Sequence, residues 1–269
     1  VAPESLLYFA ANFALFGLVL LRWLDMRWPG RAQDRLWRGT AILLAALQGA
    51  AVIWSVARLG TVSIVHPWLA IMATVEATVL LCLPLERATG LRAPGAIALT
   101  IAFLVHSYTL VLGHPPLLTD LVVSPFTRSP WYVLHALGAV VASSAYVCAG
   151  GGAINYLAVL VTQRGAAAKT ETLQRESEAF WRRALLIAFP WLAASVLAHA
   201  VWTYLAWSSY WSWRPAGVCV LILWFLLVVT LHVRPRLRWQ SAAVAVLALL
   251  GMVLALVVLT MLGQGLVAI

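Results

Sequence analysis

Ionisable groups in this sequence that stand within or at the ends of long apolar runs are few: Glu76, His106, His199 and His232, with His135 at the start of a further run. Each is costly to keep there, so each needs a partner or a task. A neutral imidazole can give a nitrogen to a metal or to haem iron. The stretch AWSSYWSWRPAG, residues 206–217, adds Trp207, Tyr210, Trp211 and Trp213 within seven positions, close behind Trp202 and His199. Flat aromatic faces beside imidazoles can make a haem site. Two plainer uses compete with it. A single helical histidine serves as a hydrogen-bonded packing group, and Trp and Tyr anchor helix ends at a membrane interface. The residues alone leave these readings open, and Glu76 has no assignable partner.

The elements that must carry these residues follow from composition. The chain has 269 residues, 63% hydrophobic and 10% charged, too apolar for a water-soluble surface. Its apolar runs are long and continuous, which predicts helices and not the alternating strands of a barrel. Eight spans are expected, at about 5–22, 40–58, 67–85, 94–113, 131–162, 181–206, 216–233 and 241–264, each about the length that crosses a bilayer or longer. The fold class is therefore all-α, a polytopic membrane helix bundle forming a single domain over 1–269. The start, VAPESLLYF, lacks the basic residues and cleavage site of a signal peptide, so the first run is expected to stay as a span. No CxxCH motif, phosphate-binding loop or internal repeat is present. Cys82, Cys148 and Cys219 fall in or near spans and read as small buried apolar residues, not as a disulfide framework.

The net charge of +9 is a topology signal and not a nucleic-acid footprint. Arg22–Arg38, Arg87–Arg92, Arg164–Arg183 and Arg234–Arg238 hold five, two, five and three of the 18 Lys and Arg residues; only Arg58, Arg128 and Arg214 fall on the other side. The positive-inside rule then puts both termini and the tryptophan-rich loop outside, with the basic loops cytoplasmic. Five of the six histidines lie in the outer half. Segment 163–183, with Lys/Arg and Glu interleaved, is expected to extend helices five and six as a solvated hairpin.

Several motifs are similar to one family. The run from Trp202 to Pro215, WTYLAWSSYWSWRP, resembles the tryptophan-rich WWD segment of the CcsA/ResC-type proteins of the system II cytochrome c synthetase. SPWYVLH, 129–135, looks like the family's SPWLxxH. LHVRPRLRW, 231–239, looks like its LHTRxxxGW, and LGQGL, 262–266, like its LLGxGLHSY. The resemblance covers about 100–269. It implies a haem-handling protein of the inner membrane that binds haem b and presents it on the periplasmic face to apocytochrome c. It further implies a CcsB/ResB-like membrane partner, and no nucleic acid. Carried over, His135 is an outer axial ligand and His232 is this chain's ligand to a haem held within the membrane, completed by the partner. Trp202, Trp207, Tyr210, Trp211 and Trp213 form the haem platform. No catalytic nucleophile is implied, and any activity would be as part of a haem lyase.

Departures fall at functional positions. The family's WDPKETW is here Trp213-Arg214-Pro215-Ala216-Gly217-Val218-Cys219, so an arginine able to pair a propionate replaces an acid. The family's second outer histidine falls at Val267. A histidine, His199, stands where the family commonly has glycine and is a substitute candidate for that lost ligand. Two alternatives follow from these changes: a repurposed subunit, with or without haem, of a larger membrane electron-transfer complex, or a HemX-like regulator. A transporter lacks support, since no paired broken helices are evident. Membrane lipids are partners on any of these readings.

Overall fold

In lipid the backbone must satisfy its own hydrogen bonds, and a helix is the simplest way to do so. The computed structural model describes residues 3–28, 30–59, 67–112, 128–162, 167–211, 213, 215–237 and 240–261. Eight helices and no strand occur among them: α1 (Pro3–Arg27), α2 (Arg31–Leu59), α3 (Pro67–Thr89), α4 (Ala93–Leu112), α5 (Pro130–Thr162), α6 (Ala167–Trp207), α7 (Pro215–Leu237) and α8 (Ser241–Met261). Every expected span is met by one helix. Five contain segments long and apolar enough to cross a membrane on length and composition, in α1, α3, α5, α6 and α8; α4 and α7 carry shorter apolar stretches. The protein is a polytopic helical membrane bundle.

At 1.5 Å rise per residue, α5 is about 50 Å long and α6 about 60 Å. A hydrocarbon core is about 30 Å thick, so both helices outrun it. They carry the basic end of the bundle to the aromatic end, and α5 is the central post. Three successive glycines let neighbours close on it from different sides. A Cβ on Gly150 would strike Met252 of α8, one on Gly151 would strike Pro94 and Ala98 of α4, and one on Gly152 would lie 2.9 Å from the Trp181 Cβ of α6. The Tyr146 hydroxyl donates to the Leu223 carbonyl at 3.2 Å and ties α5 to α7.

Of the 163–183 segment, residues 163–166 lie outside the described residues; the rest is helical, as expected, but only partly solvated. α6 begins at Ala167, and Glu171 and Arg175 are exposed and ion-paired at 2.5 Å. From Ser177 onward the helix is core: Ser177, Phe180 and Trp181 are buried. Asn155 of α5 donates to the Ser177 hydroxyl at 2.8 Å, and Ser241 of α8 to Glu178 at 3.0 Å. Glu171, Arg175, Arg182 and Arg183 stay exposed, while α5 alongside takes the apolar face that mixed charge had disguised. Cys82 and Cys148 behave as expected: both are fully buried and unbridged, with sulfurs 3.7 Å apart.

Charges counted as loop residues are also buried. Arg22 and Asp25 of α1 and Glu86 of α3 are almost fully enclosed. Arg22 pairs with Glu86 and, at 3.0 Å, with Asp25. Asp25 also takes Arg92, which precedes α4, at 2.7 Å. The Arg22 guanidinium lies 4.7 Å from the Trp37 ring of α2. Four helices are thus joined at the basic end. Gly90 closes α3 with φ at 73°, a left-handed C-cap whose N–H returns to Glu86 O at 2.8 Å.

Candidate functional site

At the opposite end, α5 and α6 hold two histidines in contact. His135 lies in the second turn of α5; Ser195 and His199 lie one turn apart on α6. The approach is close because Gly138, a turn beyond His135, has no side chain. A Cβ there would come within 2.7 Å of Trp191 O and 2.9 Å of Ser195 Cβ. Ser195 then grips His135 twice. Its hydroxyl donates to the His135 carbonyl at 2.8 Å, and His135 Nδ1 lies 3.1 Å from Ser195 O and 3.0 Å from Ser195 Oγ. A carbonyl can only accept, so Nδ1 carries the proton. Nε2 is left with the lone pair, the state in which an imidazole ligates a metal.

The His199 ring lies 4.7 Å from His135, and its buried Nδ1 has no partner among the described residues. Trp211 meets His199 edge-on at 5.5 Å, with its Nε1 likewise buried and unmatched among the described residues. Trp202 stacks nearly parallel to His135 at 6.4 Å and packs on Tyr132 at 5.0 Å. Trp202 is therefore buried beneath the site, in a small core with Tyr132 and Ala136. Trp207 touches it edge-on at 5.1 Å and is half exposed.

The loop is folded back by its own backbone. Ser208 takes φ of 55° and ends α6, and the Thr203 hydroxyl donates to Tyr210 O at 3.1 Å. Tyr210 then stacks on Tyr204 at 4.3 Å, and Trp211 is turned toward His199. Trp207, Tyr210 and Trp213 present open ring surface. The end of the bundle is thus an exposed aromatic surface beside two half-buried imidazoles and a buried indole. Arg214 lies outside the described residues, as does Val267.

Chemically the pair can offer one axial nitrogen, or two nitrogens to one side of a metal. The rings are in contact, which leaves no room for a porphyrin between them, so in this arrangement His199 stands beside His135 and not across an iron from it. The other ionisable groups are not brought to this site. His232 is exposed on α7, its Nδ1–H given to Val228 O of its own helix at 2.7 Å. His106 is a packing group: Nδ1 is 2.9 Å from Asn12 Oδ1, and the ring stacks on Tyr8 at 4.3 Å. Glu76, on α3, has a buried Oε2 without a partner among the described residues. Ser195 and Tyr132 escaped the sequence reading; the small residues spaced along SPWYVLHALG offered the nearest signal of a close helix crossing.

Comparison with known proteins gives this geometry a family. The cytochrome C assembly protein family model matches residues 62–267. The chain belongs to that family. Similar members include the cytochrome c biogenesis protein CcsA of Chlamydomonas reinhardtii, 27% identical over 127 residues, which are 47% of this chain and 36% of that protein. CcsA of Parasynechococcus marenigrum is 30% identical over 157 residues, 48% of this chain and 50% of its own. CcsA of Mesostigma viride is 39% identical over 87 residues, 31% and 28% respectively. The matches thus span at most half of these relatives. Among solved structures, the cytochrome c haem lyase CcmF shares the fold across 98% of this chain and 48% of its own, with a TM-score of 0.62 at 20% identity. Membership in the cytochrome c assembly family places the imidazole pair and the aromatic loop in a chain of the kind whose motifs they resemble.

Proposed function

We propose that this chain binds haem b at its aromatic end and presents it to apocytochrome c, within an assembly completed by a CcsB/ResB-type membrane partner. The observation that supports this most is the grip of Ser195 on His135. A donor nitrogen fixed in orientation, beside an open aromatic surface, is how proteins prepare an imidazole for iron. Haem, when bound, supplies an iron that takes axial nitrogens and vinyl carbons to which the CxxCH thiols add. This chain's residues bind and orient. His135 would hold the iron through its free nitrogen, while Trp207, Tyr210, Trp211 and Trp213 would give flat faces to the macrocycle. Arg214, by its place beside Trp213, pairs a propionate. His199 neighbours His135 as an alternate donor. Trp202 braces His135 from behind. No protein nucleophile is required, so any lyase activity belongs to the assembly as a whole.

His232 lies near the basic end, on an exposed face of α7. An imidazole open to the outside of the bundle suits a ligand shared with a second polypeptide. The charge asymmetry orients the chain in the inner membrane with its basic end cytoplasmic, and the aromatic surface and both ends of the chain periplasmic.

The test is a haem-to-protein ratio and a reduced-minus-oxidised absorption spectrum on gently solubilised, purified protein. A b-type spectrum with near-stoichiometric haem is expected. Protein that is folded, assembled with its partner and devoid of haem would overturn the proposal and favour a structural subunit.

A further inference from the structure

The basic end holds a feature that haem handling at the other end does not use. A cavity of about 330 Å³ opens between the ends of α1, α2, α3 and the start of α4. Its wall includes Arg22, Arg38, Arg87, Arg92, Glu86 and the Trp37 ring. Among the described residues, four guanidinium groups and one carboxylate line it, and Asp25 behind the wall pairs Arg22 and Arg92. Glu86 is turned inward onto Arg22. The missing side chain of Gly95 makes room for that carboxylate. The acids are consequently held in the wall by the buried network. Arg92, with 43% of its side chain exposed, and Arg87, also exposed, reach the opening.

The surroundings fix the depth of this cavity. Trp23 and Trp28 are exposed at the same end of α1, and Trp23 donates to the Thr100 hydroxyl at 3.1 Å. Indoles in such positions mark the boundary between acyl chains and headgroups. Guanidinium forks match phosphate oxygens in pairs, and basic pockets between spans at this level take acidic headgroups. We infer that this cavity is a site for a phosphate group, supplied by an anionic phospholipid whose headgroup enters between α2 and α3. The inference stands apart from haem binding, since it concerns the opposite end of the bundle.

The experiment measures thermal stability of the purified full chain, delipidated in an uncharged detergent. Phosphatidylglycerol, phosphatidylcholine and inorganic phosphate are titrated separately. Phosphatidylglycerol should raise the melting temperature and phosphatidylcholine should not. Arg87→Gln should weaken half-saturation about fivefold, the worth of one basic residue near an anionic surface. Arg175→Gln, which removes a charge at the same end but away from the cavity, should leave it unchanged. If millimolar inorganic phosphate reproduces the rise and Arg87→Gln weakens it, the phosphate site holds but its source is the free anion. Equal responses to the two lipids, or equal losses in the two variants, would overturn the inference.

Discussion

Arg22→Ala should be among the most damaging single changes available in the first hundred residues. The loss can be apportioned from the structure. Asp25 would keep Arg92 at 2.7 Å, whereas Glu86, almost fully buried, would lose both the Nε contact at 3.1 Å and the ion pair at its other oxygen. Removing one partner of a buried pair costs about 3–5 kcal/mol, because the remaining charge is stranded. At about 2–4 °C per kcal/mol for a chain of this size, the melting temperature should fall by about 6–20 °C. The stranded charge is the cause, so Glu86→Gln added to Arg22→Ala should recover at least half of the loss. The assay is the folded fraction by size exclusion after graded heating in detergent. An Arg22→Ala variant that melts within about 2 °C of the parent would refute the reasoning. So would a double variant no better than the single one.

Other consequences are equally direct. Gly151→Leu should cost about 1–3 kcal/mol or more, since its Cβ would meet the backbone of α4, including Ala98 N at 2.9 Å; Gly49→Leu, where the space is open, is the matched control in the same melting assay. Ser195→Ala removes a hydroxyl but leaves the Ser195 carbonyl to hold His135 Nδ1. Haem affinity in a titration should therefore fall by only about tenfold, the lower end of the range for such supports. Under native conditions a maleimide should spare fully buried Cys82 and Cys148 and label both after unfolding, as counted by intact mass.

The helices were legible because lipid leaves the chain so few options. Continuous apolar runs of bilayer length must be helical, and each of the eight was met by one helix, with α2 and α6 beginning well before their expected starts. Hydropathy was a poor guide to charge at helix ends. Arg22 reads as a loop cation flanking a span, yet it is buried because Glu86, distant in sequence, and Asp25 neutralise it. The 163–183 segment misled in the same way: exposed Glu171, Arg175, Arg182 and Arg183 mask the buried Phe180 and Trp181 on the same helix. At the aromatic end, residue types raised His135, His199 and the loop as candidates, and the family resemblance singled them out. They could not show that His199 lies against His135, because that follows from the register between α5 and α6, set by Gly138 and Ser195. Trp202 looks like its loop neighbours in sequence, but being still on α6 it points into the layer below.

The central claim is that His135 Nε2, held by Ser195, is an iron donor. The most direct measurement is the reduced-minus-oxidised spectrum of the His135→Gly variant, recorded with and without added imidazole. The account predicts a weakened or shifted haem signal that free imidazole restores toward that of the unaltered protein. A haem spectrum unchanged by the substitution and indifferent to imidazole would contradict it.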